Sequence, residues 1–473
     1  MSSELHARVD AYVDEVWEDV VSDIATLVSH PSMADTAAGV PGAPFGASVR
    51  AALDDALRIA ERLGYQVGDD EGYVGYAVIP GESEKQIATI AHVDVVPAGP
   101  GWVTDPFKMT RREGWLLGRG VIDDKGPAVL SLYAGAFLLR EGIVARYTFR
   151  ALLGCDEEVG MSDVHHYLER HDDPLFLFTP DAEFPVCNAE KGCFGATFRT
   201  AAIPGGLIRS WSGAEATNAI PGESVLELAL DASELPAPVA NADRLAIEPI
   251  EPGASRIVAH GIGGHASLPD GTVNAIALIV GYLRESGILG EGAAPALDLL
   301  ERIHADTAGS GIGIATQSPA FGPLTCNAGT IALADDGALE QTIDVRFPDT
   351  ITEGELAAAC SALAKRFGGA VEVDRAKPPF SVDATSPQVR ALIDIYNQTT
   401  GRDAEPFAMG GGTYARNFKS AVSFGPEDNG MELPEWAGTM HGPNEAASEQ
   451  LLREALKMYI LAILRLMELG YDE

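Results

Sequence analysis

Cysteine is scarce in this 473-residue chain: Cys155, Cys187, Cys193, Cys326 and Cys360 are the only five, and no two of them form a Cys-x-x-Cys pair. Such a set gives neither an even disulfide framework nor a thiolate metal site. It fits a reducing compartment in which each thiol is a small core residue. Basic residues are scarce too. Against 69 Asp and Glu stand 33 Lys and Arg, a formal charge of −36, which repels phosphate backbones and anionic lipid surfaces and excludes nucleic acid as an expected partner. Nowhere do about eighteen apolar residues follow one another, the minimum for a membrane-spanning helix. The chain opens Met-Ser-Ser-Glu-Leu-His without a basic stretch leading into an apolar one. A cytoplasmic, membrane-free protein is expected.

What is present is enough chain for two or three domains around a large core. Leu5, Val9, Tyr12, Val16, Val20, Ile24 and Leu27 recur at three- and four-residue spacing and predict an opening helix that ends before His30-Pro31. Ala51 to Leu63 predicts a second helix. Gly126-Pro127 opens a third, closed by Glu141-Gly142. Between them lie short apolar runs, so strands alternate with helices and the fold class is α/β. After Asn188 the texture changes to alternating runs, Ser224 to Leu230 and Thr342 to Phe347, typical of half-exposed strands in a smaller α+β unit. Lys377-Pro378-Pro379 marks its end, and helices return at Ser386 to Thr399 and Glu449 to Leu469. The expected organisation is a discontinuous domain of residues 1–189 and 381–473, interrupted by an inserted domain of residues 190–380.

The chemistry concentrates where apolar runs end. Ile87 to Ala91 leads into His92-Val93-Asp94, Tyr147 to Leu153 into Gly154-Cys155-Asp156-Glu157-Glu158, and Leu175 to Phe178 into Thr179-Pro180-Asp181. Short apolar runs closed by polar residues are the pattern of fully buried parallel strands. Residues just past the carboxyl ends of neighbouring strands in such a sheet converge on one crevice. Several carboxylates gathered there repel one another unless a cation joins them. Carboxylate oxygens with imidazole nitrogens and no cysteine suit zinc first, with manganese or cobalt as substitutes. Within His92-Val93-Asp94 the two polar side chains face one side of a strand, so one can bind metal while the other orients it.

The segments Ala91-His92-Val93-Asp94-Val95-Val96-Pro97, Gly118-Arg119-Gly120-Val121-Ile122-Asp123-Asp124-Lys125-Gly126-Pro127, Asp156-Glu157-Glu158-Val159-Gly160, Thr179-Pro180-Asp181-Ala182-Glu183 and Met440-His441-Gly442-Pro443-Asn444-Glu445 occur in this order. Together they closely resemble the dinuclear zinc peptidases that include carnosine-type dipeptidases, carboxypeptidase G and succinyl-diaminopimelate desuccinylase. The resemblance implies a catalytic domain built on a mixed, largely parallel sheet flanked by helices, with an inserted α+β lid. It implies that His92 and Asp181 hold one metal, Glu158 and His441 the other, and that Asp123 bridges them. Asp123 is chosen over Asp124 as the first position of the family's Asp-x-Lys-Gly motif. The neighbouring acid leaves that choice open, and Asp124 is read as a helix-start carboxylate near the amides after Gly126. Glu157 is then free for proton transfer and Asp94 orients His92.

Three further matches fall in the insertion: Thr217-Asn218-Ala219-Ile220-Pro221, Gly264-His265-Ala266-Ser267-Leu268-Pro269 and Asp344-Val345-Arg346-Phe347-Pro348. Singly they read as a turn former, a loop histidine and a surface strand residue. Inside the resemblance, His265 donates to the tetrahedral oxyanion, while Asn218 and Arg346 hold the substrate's carboxylate with the planar fork that arginine offers. Gly410-Gly411-Gly412-Thr413-Tyr414-Ala415-Arg416 resembles the bacterial dipeptidase (Xaa-His dipeptidase) branch, and the amides around Gly411, Gly412 and Thr413 could approach the same carboxylate. The remaining histidines are read as solvent-facing or packing residues, and Trp102 as a loop anchor. The expected activity is hydrolysis of unblocked dipeptides with two zinc ions per chain, by a monomer whose lid covers its own site. The alternatives are a deacylase acting on N-acyl amino acids, a tripeptidase, and a metal-binding protein without catalysis.

Overall fold

The computed structural model describes residues 2–428 and 430–471. The chain divides into two compact units: unit 1 comprises Met1–Asn188, Ser381–Phe407 and Gly412–Glu473, and unit 2 comprises Ala189–Phe380 and Ala408–Gly411. The short Ala408–Gly411 segment, expected with the discontinuous domain, therefore clusters with the insertion.

The centre of unit 1 is a mixed sheet. Strand Ser83–His92 lies between Tyr147–Gly154 and Phe176–Thr179 and runs parallel to both. Ala421–Ser423 adds another parallel strand beside Phe176–Thr179. On the other side, Val74–Ile79 pairs antiparallel with Tyr147–Gly154 and with Gln66–Asp70. The central strands are buried on both faces, which explains their unbroken apolar composition. Helix Lys125–Arg140 is apolar on every side because it too is enclosed: fourteen of its residues, Lys125 through Leu138, are buried. It packs against helices Ser3–Val28 and Glu449–Glu468. Gly135 in this helix faces Phe149 and the Tyr65 hydroxyl so closely that no side chain fits there. Helix Ser3–Val28 begins where Ser2 accepts a hydrogen bond from the Leu5 amide, a side-chain N-cap, and buries Val9, Val13, Val20, Ile24 and Leu27.

Unit 2 is α+β. One four-stranded antiparallel sheet joins Thr325–Leu333, Leu339–Phe347, Gly192–Arg199 and Ala370–Lys377 in that order. A second joins Ile208–Ser212, Glu223–Leu228, Ala254–His260 and Leu245–Glu251. Each backs its own apolar cluster. Leu226, Ile257, Ile276 and Leu283 belong to one, and Phe194, Phe198, Ile343 and Leu356 to the other. Among the described residues, no helix is long and apolar enough to cross a membrane.

Candidate metal centre

Three adjacent parallel strands of unit 1 end side by side, and each releases chemistry at its carboxyl end. His92 closes the middle strand, Glu157 and Glu158 follow Gly154 on one flank, and Asp181 follows Thr179 on the other. Asp123 arrives from the turn before helix Lys125–Arg140. His441 arrives from the loop before Ala446–Ser448, a strand paired with Trp115–Leu117. His92 Nε2 lies 3.1 Å from Asp123 Oδ1 and 3.8 Å from Asp181 Oδ2. His441 Nε2 lies 2.8 Å from Asp123 Oδ2 and 3.2 Å from Glu158 Oε2. Two groups with metal-ligand geometry result, His92/Asp123/Asp181 and Asp123/Glu158/His441. Asp123 belongs to both and Glu157 to neither.

Asp94 is fully buried behind them. Its carboxylate accepts from the amides of Glu157 and Glu158 at 3.3 and 3.2 Å and stands 3.4 Å from His92 Nδ1. One side chain thus fixes the imidazole from behind and anchors the turn bearing both glutamates. Asp124 behaves differently from the expectation. It precedes the helix, yet its side chain makes no cap hydrogen bond, and Oδ2 accepts instead from the His92 amide at 3.0 Å. The strand-end amide is buried and has no ladder partner on that side, so the carboxylate serves it rather than the helix.

The electrostatics describe a site short of positive charge. Burial disfavours a charged His92, but the Asp123 and Asp94 carboxylates outweigh it and raise the imidazole well above its usual range. Burial likewise opposes ionisation of Asp123, yet His441 and His92 hold its carboxyl well below the ordinary value. Burial and then Asp123 push Asp181 up to about 7 and raise Glu158. Burial and then Asp181 raise Glu157 well above the usual carboxyl range. His441 has a side chain about half exposed; partial burial works against its charge, but Asp123 and Glu158 raise it to about 11. Both imidazoles are thereby shifted toward their protonated, cationic form. Divalent metal ions fit these donors, which are imidazole nitrogens and carboxylate oxygens without sulfur. Glu158 Oε1, buried without a hydrogen-bond partner, is an acceptor that such an ion would satisfy.

A buried clasp holds two loops of the candidate centre together. Arg119 donates to Glu445 Oε2 at 2.6 Å and to the carbonyls of His441 and Gly442, each at 3.2 Å. Glu445 Oε1 accepts from the amides of Gly120 and Ile122 at 3.0 and 3.1 Å. The loop before Asp123 and the loop bearing His441 are therefore fastened by one ion pair, and His441 is held at a positive φ of 60°. Arg119 and Glu445 stand inside quoted motifs, but nothing in their spacing announces a pairing across the chain. Trp102 anchors its loop as expected, donating to the Ala98 carbonyl at 2.7 Å.

The insertion's candidates meet within unit 2. Ala219 pairs with His265 in a short ribbon, and the Ala266 amide donates to the Asn218 carbonyl at 2.8 Å. The Ala266 carbonyl accepts from Asn327, which sits opposite Asp344 in the sheet. His265 is exposed, with Nδ1 2.6 Å from the Ser267 hydroxyl. Arg346 differs from the surface residue its spacing suggests, because it is buried. Its guanidinium donates to Asp344 at 2.7 Å, to Cys193 Sγ at 3.0 Å and to the Gly410 carbonyl at 2.8 Å. With a second, longer bond to Asp344 at 3.4 Å, most of the fork is spent inside unit 2. In unit 1, the Thr413 hydroxyl accepts from the Ala415 amide, and Tyr414 donates its hydroxyl proton to Asp163. Gly154 has no side chain because the Tyr414 ring occupies that space.

Residues 88–465 match the model of peptidase family M20/M25/M40. The chain belongs to this family. As a member it is similar along most of its length to YtjP of Bacillus subtilis (strain 168), provisionally named a dipeptidase. The two are 30% identical over 423 residues, covering 86% of this chain and 90% of the relative. The Beta-Ala-Xaa dipeptidase of Lactobacillus delbrueckii subsp. lactis is 29% identical over 470 residues, covering 94% and 96%. Among solved structures, human carnosine dipeptidase 1 shares the fold with a TM-score of 0.61 over 98% of this chain and 99% of that one, at 14% identity.

Proposed function

We propose that the protein is a metal-dependent dipeptidase that hydrolyses unblocked dipeptides with a pair of zinc ions and Glu157 as the proton carrier. One observation carries the reading: Asp123 is shared by two imidazole-carboxylate triads, while Glu157, beside the ligand Glu158, remains outside both. His92 and Asp181 would hold one ion, Glu158 and His441 the other, and Asp123 would join them. Bound there, the ions supply Lewis acidity toward the attacking water and the scissile carbonyl. Glu157 takes a proton from the water at its carboxylate and delivers it to the leaving amine, and its burial beside Asp181 favours the protonated form needed for the second transfer. Asp94 keeps the His92 ring and the Glu157 turn in register throughout.

The family relatives that carry dipeptidase names support the substrate class. For residues 190–380 we assign the lid role, with His265 at the oxyanion and Asn218, Arg346 and the amides of Gly411, Gly412 and Thr413 at the substrate carboxylate. Arg346 serves there through the N–H that Asp344, Cys193 and Gly410 leave over, so it acts as a single donor. A cytoplasmic monomer completes the proposal, and a gel-filtration mass near twice 49.8 kDa would count against it.

The test is metal content per chain together with hydrolysis of a free dipeptide panel before and after chelation. Two ions with chelator-sensitive dipeptide cleavage is the expected result. Preferential cleavage of N-acyl amino acids would move the assignment to a deacylase. Replacing Glu157 with Ala should lower turnover by at least about 10³-fold with both ions retained; near-normal turnover removes Glu157 from the mechanism.

A further inference from the structure

Beside the ligand cluster, unit 1 contains a cavity of about 110 Å³ whose walls include Ile122, Glu427, Leu433, Thr439, Met440 and Leu451. Ile122 immediately precedes Asp123, and Met440 immediately precedes His441. Glu427 is locked beside the third ligand segment: its amide donates to the Ala182 carbonyl and its carbonyl accepts from the Phe184 amide, both at 3.1 Å. The cavity therefore opens among the neighbours of Asp123, Asp181 and His441. Among the described residues no Lys, Arg or His lines it, and its surface is mostly apolar.

Glu427 is half-buried there. Its other acidic neighbour on the wall, Asp428, has Arg402 at 3.7 Å. Among the described residues Glu427 has no ion pair of that kind, and His441 is the cationic group that favours its ionised form. Burial, then Asp123 and Asp181, push its carboxyl well above the usual range. A half-buried carboxylate pressed by Asp123 and Asp181, and eased only by His441, gains from a further cation. The aliphatic walls next to it suit a short hydrocarbon stem.

Resting on the peptidase reading of the neighbouring site, we infer that Glu427 is a specificity residue that receives a protonated amine of the substrate's amino-terminal residue, with the cavity taking that residue's aliphatic part. The amine has two possible sources, the α-amino group or a side-chain amine, and both would meet the same carboxylate. An N-acylated substrate would leave Glu427 without a partner, so the residue selects for unblocked peptides.

The test compares wild type with Glu427→Gln, both metal-replete, on Ala-Ala, Nle-Ala, Lys-Ala and N-acetyl-Ala-Ala. If the α-amine is the ligand, kcat/KM should fall by roughly 10- to 100-fold on all three free dipeptides and change little on the acetylated one. If the side-chain amine is the ligand, only the preference for Lys-Ala over Nle-Ala should collapse. Glu427→Asp should give an intermediate loss, which separates charge removal from a folding defect. Calorimetric binding of L-alaninamide and L-lysinamide against N-acetyl-L-alaninamide provides a readout independent of turnover. A wild type that cleaves no dipeptide but binds amines through Glu427 would defeat the dipeptidase reading and leave this inference standing. Variants within twofold of wild type on every free dipeptide would overturn the inference. So would loss of a metal ion from Glu427→Gln, since Glu427 would then be a ligand.

Discussion

The Arg119–Glu445 pair shows how much of this site is held by residues that touch no reacting atom. Both side chains are about as buried as any in the chain, at 1% and 0% exposure, and together they satisfy carbonyls and amides from two loops. Removing one member strands the other's charge away from water, and such breaks cost about 3–5 kcal/mol. Arg119→Met should therefore lower unfolding stability by about that amount and weaken metal binding at least about tenfold. In a double-mutant cycle, Arg119→Met with Glu445→Gln should cost clearly less than the sum of the singles. Additive costs in urea unfolding would mean that the pair is incidental. The same scale marks the limit of reading residues in sequence. His92, Asp94, Asp123, Glu157, Glu158, Asp181 and His441 could be singled out from strand ends and motif order, and the structure brings them into one cluster. Glu445 was not, since it acts through neighbours distant in the chain, and a carboxylate in so acidic a sequence carries no signal of its own. Asp124 was misread for a related reason: helix-start position predicts a cap, but the buried His92 amide competes for the same oxygen.

Among elements, the long periodic or unbroken segments were legible. The opening helix, the helix after Asp124 and the strands ending at His92, Gly154 and Thr179 lie where apolar spacing put them. The Gln66–Asp70 and Val74–Ile79 hairpin escaped notice. Its first strand is polar and partly exposed, so it lacks the apolar run that marks a buried strand. Helix Ala294–Ile303 supplies a test of its own. It ends at His304, whose ring nitrogen meets the Gln341 side chain at 3.2 Å on strand Leu339–Phe347. Burial lowers this imidazole to about 4, against the weaker opposing effect of Gln341. A histidine kept neutral in the fold binds its proton more readily when unfolded. Its contribution to stability is therefore complete above about pH 6.5 and is lost as pH falls toward about 4, by up to about 3 kcal/mol. His304→Asn, uncharged throughout, should gain on wild type by up to that amount between pH 7.5 and 4.5 in chemical unfolding. A stability gap that stays constant with pH would remove His304 as a titrating element.

At the scale of the molecule, a net charge of −36 raises the question of how unit 1 tolerates so many carboxylates at one point. Without metal, it does so by holding protons. His441 is raised to about 11 by Asp123 and Glu158 against partial burial, and burial followed by Asp123 brings Asp181 to about 7. The signs agree. A histidine raised in the folded state stabilises fully below about pH 6.5 and loses that contribution as pH climbs toward its folded value. A carboxyl raised in the folded state binds more protons folded than unfolded, so stability falls as pH rises from about 4 to about 7. The metal-free protein should consequently weaken steadily from pH 5 to pH 9. Metal ions replace those protons, and their binding grows stronger as the protons leave. The gain in melting temperature on adding a divalent metal such as zinc to chelated protein should therefore be larger at pH 8.5 than at pH 5.5, and scanning calorimetry of both forms across that range measures it directly. A gain independent of pH would mean that the imidazoles and carboxylates are not what the ions neutralise, and would separate the metal site from the acidic cluster at the ends of these strands.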